Sequence, residues 1–117
     1  MIALDEGLDQ RDRWLPPGAG EVPLGRVADR GWHALSDLLF PVLVLKEAAL
    51  AHNLEVMARF CRASGVSLAP HGKTTMSPQL IARQLAAGAW GVTAASPAQA
   101  RLFRDFGVER IVIANQV

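Results

Sequence analysis

Cysteine is almost absent from this chain. Cys61 stands alone, so no disulfide can form within it, and a reducing compartment suits it. Long apolar runs are missing too: none approaches the ~20 residues that cross a bilayer. The first residues, Met1 to Glu6, turn acidic early and lack the apolar stretch of a signal peptide. Neither sign of charge dominates, with 12 Lys and Arg against 11 Asp and Glu for a net +1. No basic stripe stands out, so neither nucleic acid nor a membrane is an expected partner. These absences point to the cytoplasm.

What is present suits a soluble α/β protein. Half of the 117 residues are hydrophobic and 20% are charged, a globular composition long enough for one modest domain. Residues 1–40 read as an irregular N-terminal extension, broken at Pro16-Pro17-Gly18 and again at Pro23 and Gly25. Trp14, Trp32, Leu35, Leu38, Leu39 and Phe40 are its apolar anchors onto a body, and a short helix is expected near 28–38.

Regular patterning begins at Pro41. Residues 42–45, Val-Leu-Val-Leu, predict a buried strand. Residues 47–63 carry Leu50, Leu54, Met57 and Cys61 on one helical face, and Gly65 supplies a stop. A second strand is expected at 66–69, ending at Pro70. Residues 41–65 thus form a strand and helix leading into the remainder.

Two similar units follow. Ser77-Pro78 opens a helix closing at Gly88, and Ser96-Pro97 opens another closing at Gly107. Serine accepts from free amides, proline fits the first turn, and glycine takes the left-handed exit. Gln99 makes a capping box possible with Ser96. Strand-like runs follow at 90–94 and 110–114. Alternation of this kind predicts parallel strands, in a doubly wound sheet or a (β/α)8 barrel. A barrel takes ~250 residues, and Val117 directly follows a strand, so a piece of a longer protein is expected.

The chemistry lies in His71-Gly72-Lys73-Thr74-Thr75-Met76, just past a predicted strand. That end of a parallel sheet is where loops converge into active sites. A lysine desolvated there becomes a nucleophilic amine that condenses with aldehydes; a solvated surface lysine is the alternative. Gly72-Lys73-Thr74 resembles the end of a P-loop, but that motif needs a glycine at position 67, which is Ser67. Pro70 also removes a backbone donor from any phosphate cradle. No metal-ligand spacing exists, since His33 and His52 are remote from His71. His71, Asn115, Gln116 and Thr93 are weaker candidates. Each either faces a pocket or fills a structural role. Trp90, Phe103 and Phe106 are expected in the core, and both Ser-Pro pairs are caps rather than nucleophiles.

The segment from Leu68 through Lys73 to Pro78 resembles the cofactor-lysine segment of the alanine racemase-like, fold-type III pyridoxal-phosphate enzymes. The branch is that of D-threonine aldolase, D-serine dehydratase and the bacterial amino acid deaminases. The likeness runs from about Pro41 to Val117 and includes Ala49 to Leu54, Gln84 to Thr93 and Ile113 to Gln116. Pro-His-Gly-Lys-Thr-Thr-Met is most similar to the deaminases and departs from the Lys-Thr-His of the aldolases.

The resemblance implies the N-terminal part of a (β/α)8 TIM barrel. The strand at 42–45 would belong to a C-terminal β-domain missing from this chain, and residues 66–117 would hold the first three barrel strands. It implies a pyridoxal 5'-phosphate cofactor, with Lys73 as catalytic and cofactor-holding residue and His71 and Gln116 as further cofactor contacts. Any divalent metal would be held by residues beyond this chain, and the full-length protein would be a homodimer. The activity implied is a lyase that deaminates a β-hydroxy D-amino acid, resembling D-serine or D-threonine, to a keto acid and ammonia. D-threonine aldolase and amino acid racemase activities are alternatives on the same fold. A non-catalytic cofactor-binding fragment is the alternative of another class.

Overall fold

The computed structural model describes residues 7–9 and 11–116. They divide into two compact units, split between Leu45 and Lys46. In the first unit, β1 (Gly7–Leu8) pairs antiparallel with β2 (Val22–Pro23), Leu8 facing Val22. Arg11 reaches back to Asp9 at 2.7–3.1 Å, and that guanidinium pulls the exposed Asp9 carboxyl down to about 2. Among the described residues of this unit, Leu15 and Val22 are buried. Of the anchors expected, Trp14, Trp32 and Leu38 are half-buried, whereas Leu35, Leu39 and Phe40 are exposed.

The helix expected at 28–38 is displaced. A 3-10 helix spans Leu24–Arg30 and stops at Gly31, which takes the left-handed conformation with φ 64°. Past it, the chain makes a turn closed by the His33 amide donating to Asp37 Oδ2 at 2.7 Å. The strand expected at 42–45 does not form: these residues have no hydrogen-bonded partner among the described residues. A strand's backbone groups need a neighbour as well as the right composition, and Leu43, Val44 and Leu45 stay 57–91% exposed.

The second unit opens with α1 (Glu47–Ser64), stopped at Gly65 with φ 63°. The Val66 amide donates to Cys61 carbonyl at 3.1 Å, satisfying a carbonyl that the helix leaves free. The half-buried stripe is Leu50, Leu54, Ala58 and Cys61, a true 3.6-residue period, so Met57 turns outward. Arg83 grips Glu47 with two bonds of 2.5 and 2.8 Å, tying the start of α1 to α2 (Pro78–Ala86) and holding the Glu47 carboxyl below its ordinary range.

The two Ser-Pro units fold as their caps dictate. Ser77 Oγ accepts from the Leu80 amide ahead of α2, and Ser96 Oγ from the Gln99 amide ahead of α3 (Pro97–Asp105). The capping box is shifted by one residue, because Gln99 Oε1 accepts from the Ala95 amide at 2.8 Å. Both helices end in the same bond as α1, Ala89 to Gln84 and Val108 to Phe103, each at 3.0 Å.

β3 (Val92–Ala94) and β4 (Ile111–Ile113) pair in parallel, Val92 with Ile111 and Ala94 with Ile113. The expected strand at 66–69 lies alongside β3 without forming a ladder. Trp90 donates to Leu68 and Thr93 to Pro70, each at 2.8 Å, and His71 bridges Thr93 in parallel. Pro70 has no amide, so the ladder cannot continue through it. The core beneath comprises Ile81, Val92, Ala94, Phe103 and Val108, all at most 2% exposed. Trp90 is not in it: the ring is 42% exposed and lies under the Arg110 guanidinium at 5.3 Å. Among the described residues, no helix is long and apolar enough to cross a membrane.

Leu35, Leu43 and Phe60 are 88%, 91% and 62% exposed, and the sheet edges are open. Expressed alone, the 117-residue polypeptide is therefore expected to melt without a sharp transition and to bind a hydrophobic dye. Calorimetry showing a cooperative monomeric melt would contradict this.

Candidate active site

The three parallel segments deliver their C-terminal ends to one edge. His71 sits beside Thr93, and Asn115 and Gln116 follow directly on β4. Lys73 occupies a 3-10 turn, Gly72–Thr74, between the His71 bridge and the N-cap of α2. Lys73 thus follows the 66–70 segment beside β3, where the sequence placed it, although that segment forms no ladder.

The desolvation expected of Lys73 is not supplied by these residues. Its side chain is exposed and, among the described residues, takes part in no salt bridge or hydrogen bond. His71 is exposed too, without a side-chain hydrogen bond, so the structural role open to it is filled by its backbone alone. Gln116 is exposed, and its amide donates to Asn115 Oδ1 at 2.9 Å. No hydrogen bond joins Lys73, His71 and Gln116; they share a sheet edge without forming a cluster.

Two of the weaker candidates are structural. Thr93 Oγ1 donates to the Ala69 carbonyl at 2.6 Å and is buried, tying the 66–71 segment to β3. Asn115 Nδ2 donates to the Ala95 carbonyl at 3.3 Å, which caps the strand end. Among the described residues, no three His, Cys, Asp or Glu side chains gather as a metal site would need.

Two features of the Lys73 turn escaped the sequence reading. Gly72 is buried, and a Cβ there would stand 2.6 Å from Phe103 Cζ and 2.9 Å from Val92 Cγ1. Met76 is a non-glycine residue at φ 47°, with its side chain against the core. The glycine hinted at a close approach; nothing local marked the methionine. A groove of about 740 Å³ lies elsewhere, lined by residues including Leu50, Leu54, Cys61, Leu68 and Ala89. None of the three candidate residues lines it.

Comparison with known proteins bears on the fold. No family model matches the chain. Over 102 residues, 87% of the chain, it is 33% identical to a D-threonine aldolase from Arthrobacter sp. The crystal structure of D-threonine aldolase from Filomicrobium marinum superposes on 71% of the chain with a TM-score of 0.68 and 35% identity. The chain is homologous to these proteins at modest identity and shares an α/β, TIM-barrel-like fold with part of the solved one. It spans 24% of the length of the curated relative and 22% of the solved chain.

Proposed function

We propose that the full-length protein is a pyridoxal-phosphate lyase acting on β-hydroxy D-amino acids, with Lys73 holding the cofactor. The observation that carries this reading is the placement of Lys73 in the turn that follows the His71–Thr93 bridge, at the end of the parallel segments. The cofactor's aldehyde needs one accessible primary amine, and this turn offers one, free of ion pairs among the described residues, so the residues fit the group.

When bound, pyridoxal phosphate supplies an electron sink for the carbanion left by loss of the α-proton. The rest falls to this chain. Lys73 would anchor the cofactor at one point, and its Nζ would hold the proton on its own face. His71 stands two residues before Lys73 at the same strand end and is available to the cofactor or the substrate. Gln116 approaches from the end of β4.

Which bond then breaks is a finer matter. Loss of the β-hydroxyl, releasing ammonia and a keto acid, is the reading favoured by the Lys73-Thr74-Thr75-Met76 variant. Cleavage between Cα and Cβ is the second reading, favoured by similarity to two D-threonine aldolases. With D-threonine, deamination yields ammonia and 2-oxobutanoate, whereas aldol cleavage yields glycine and acetaldehyde. Ammonia from D-serine and D-threonine, with L-isomers poor, is the expected result. Glycine with acetaldehyde would establish the aldolase, and the opposite enantiomer as sole product would establish a racemase.

A further inference from the structure

We propose that Met76 is a positioning residue for Lys73: its half-buried side chain, packed on the core, holds a left-handed turn that fixes the lysine's backbone at the sheet edge. The inference rests on the reading of Lys73 as the cofactor lysine, and it concerns a residue three positions further along the chain.

The turn is anchored at both ends. At its start, Gly72 lies flush against Phe103 and Val92, so close that no Cβ fits. At its end, Met76 packs on the core formed by Ile81, Val92, Ala94, Phe103 and Val108. The amides of Thr75 and Met76 both donate to the Gly72 carbonyl, the latter at 3.0 Å, closing the turn on itself. Between the anchors, Lys73, Thr74 and Thr75 are all exposed. The backbone of Lys73 is thus held while its side chain stays accessible.

Met76 adopts φ 47°, where a residue with a Cβ is disfavoured. Such a conformation persists only when its surroundings over-determine it. Here the surroundings are identifiable. Ser77 leaves in an extended conformation, ψ 112°, to cap α2, and the Met76 side chain packs on the core. A left-handed residue reconciles these demands. Glycine would take the conformation more easily, so the methionine is there for its side chain.

Substitution in the full-length protein separates backbone preference from anchoring. Met76→Gly makes the left-handed turn easier but removes the anchor. Met76→Leu keeps an apolar anchor of similar volume. Two readouts are needed: hydrogen exchange of the 72–77 amides without cofactor, and the fraction of Lys73 trapped by borohydride at limiting pyridoxal phosphate. For Met76→Gly, exchange in the turn is expected to rise about tenfold while that of β3 holds, as a local opening would give. Trapping at Lys73 should fall by a similar factor, about tenfold, with its visible absorbance band shifted. Met76→Leu should restore both. Unchanged or slower exchange in Met76→Gly overturns the proposal, as does faster exchange with parental trapping, or a Met76→Leu variant no better than Met76→Gly. If the parent is trapped on a lysine other than Lys73, the cofactor reading fails by itself, and the exchange arm still decides whether Met76 holds the turn.

Discussion

Replacing Lys73 by alanine is expected to abolish covalent retention of pyridoxal phosphate by the full-length protein and every activity that depends on it. The expected loss is at least the ~10²–10⁴-fold that a positioned proton-transfer group contributes, because the same amine serves as anchor. The chain's other lysine, Lys46, precedes α1 as its N-cap and lies outside the strand-end turn. Lys73→Arg should fail as completely: it keeps the charge, but a guanidinium does not lose a proton in proteins and cannot condense with an aldehyde. Stability should not move with either change, since an exposed side chain without partners contributes within about 0.5 kcal/mol. Loss of the visible band, with an unchanged Tm when the cofactor-free proteins are compared, is therefore the signature. Borohydride labelling followed by peptide mapping checks it. A Lys73→Ala protein that still turns over, or still binds cofactor covalently, would remove the basis of the assignment.

The parts of this architecture that were legible in the sequence are those decided locally. Ser77-Pro78 and Ser96-Pro97 open helices because a serine hydroxyl meets an amide three residues on, whatever lies further away. Gly65 and Gly107 end helices because the left-handed exit is a property of one residue. The site was legible to the same extent. A loop before a capped helix puts Lys73 at the sheet edge, and the resemblance of its flanking residues is the source of the chemistry proposed for it.

The rest depends on partners remote in sequence. Residues 42–45 have strand composition, but pairing is non-local, and they remain unpaired among the described residues. Residues 28–38 were read as helical through Gly31, which ends the 3-10 helix instead. The exposure of Lys73 was missed for the same reason, because a desolvating wall must come from elsewhere in the fold. Phe103 was read as core without any sign that the lysine turn rests on it.

That seat gives the second large effect expected, on stability. Phe103 is fully buried, with its ring 6.3 Å from Phe106 and its edge against Gly72. Truncation to alanine leaves a cavity beneath the turn and should cost about 3–5 kcal/mol in the full-length protein. Gly72→Ala probes the same contact from above. Gly72 is not among the left-handed glycines, so an added methyl faces no backbone penalty and acts only through overpacking, about 1–3 kcal/mol. Because the two residues touch, their effects should not add. In a Phe103→Leu background, the smaller side chain leaves room for the methyl, and Gly72→Ala should then cost less than it does alone. Denaturant unfolding of the four proteins in that cycle measures the coupling; strict additivity would show that Gly72 does not bear on the ring. Cofactor retention supplies the functional counterpart. Phe103 supports the turn at Gly72 and does not reach the amine, so Phe103→Leu should weaken trapping at Lys73 by more than its loss of stability explains. Retention that fell only in step with unfolding would reduce Phe103 to a core residue with no part in presenting the lysine.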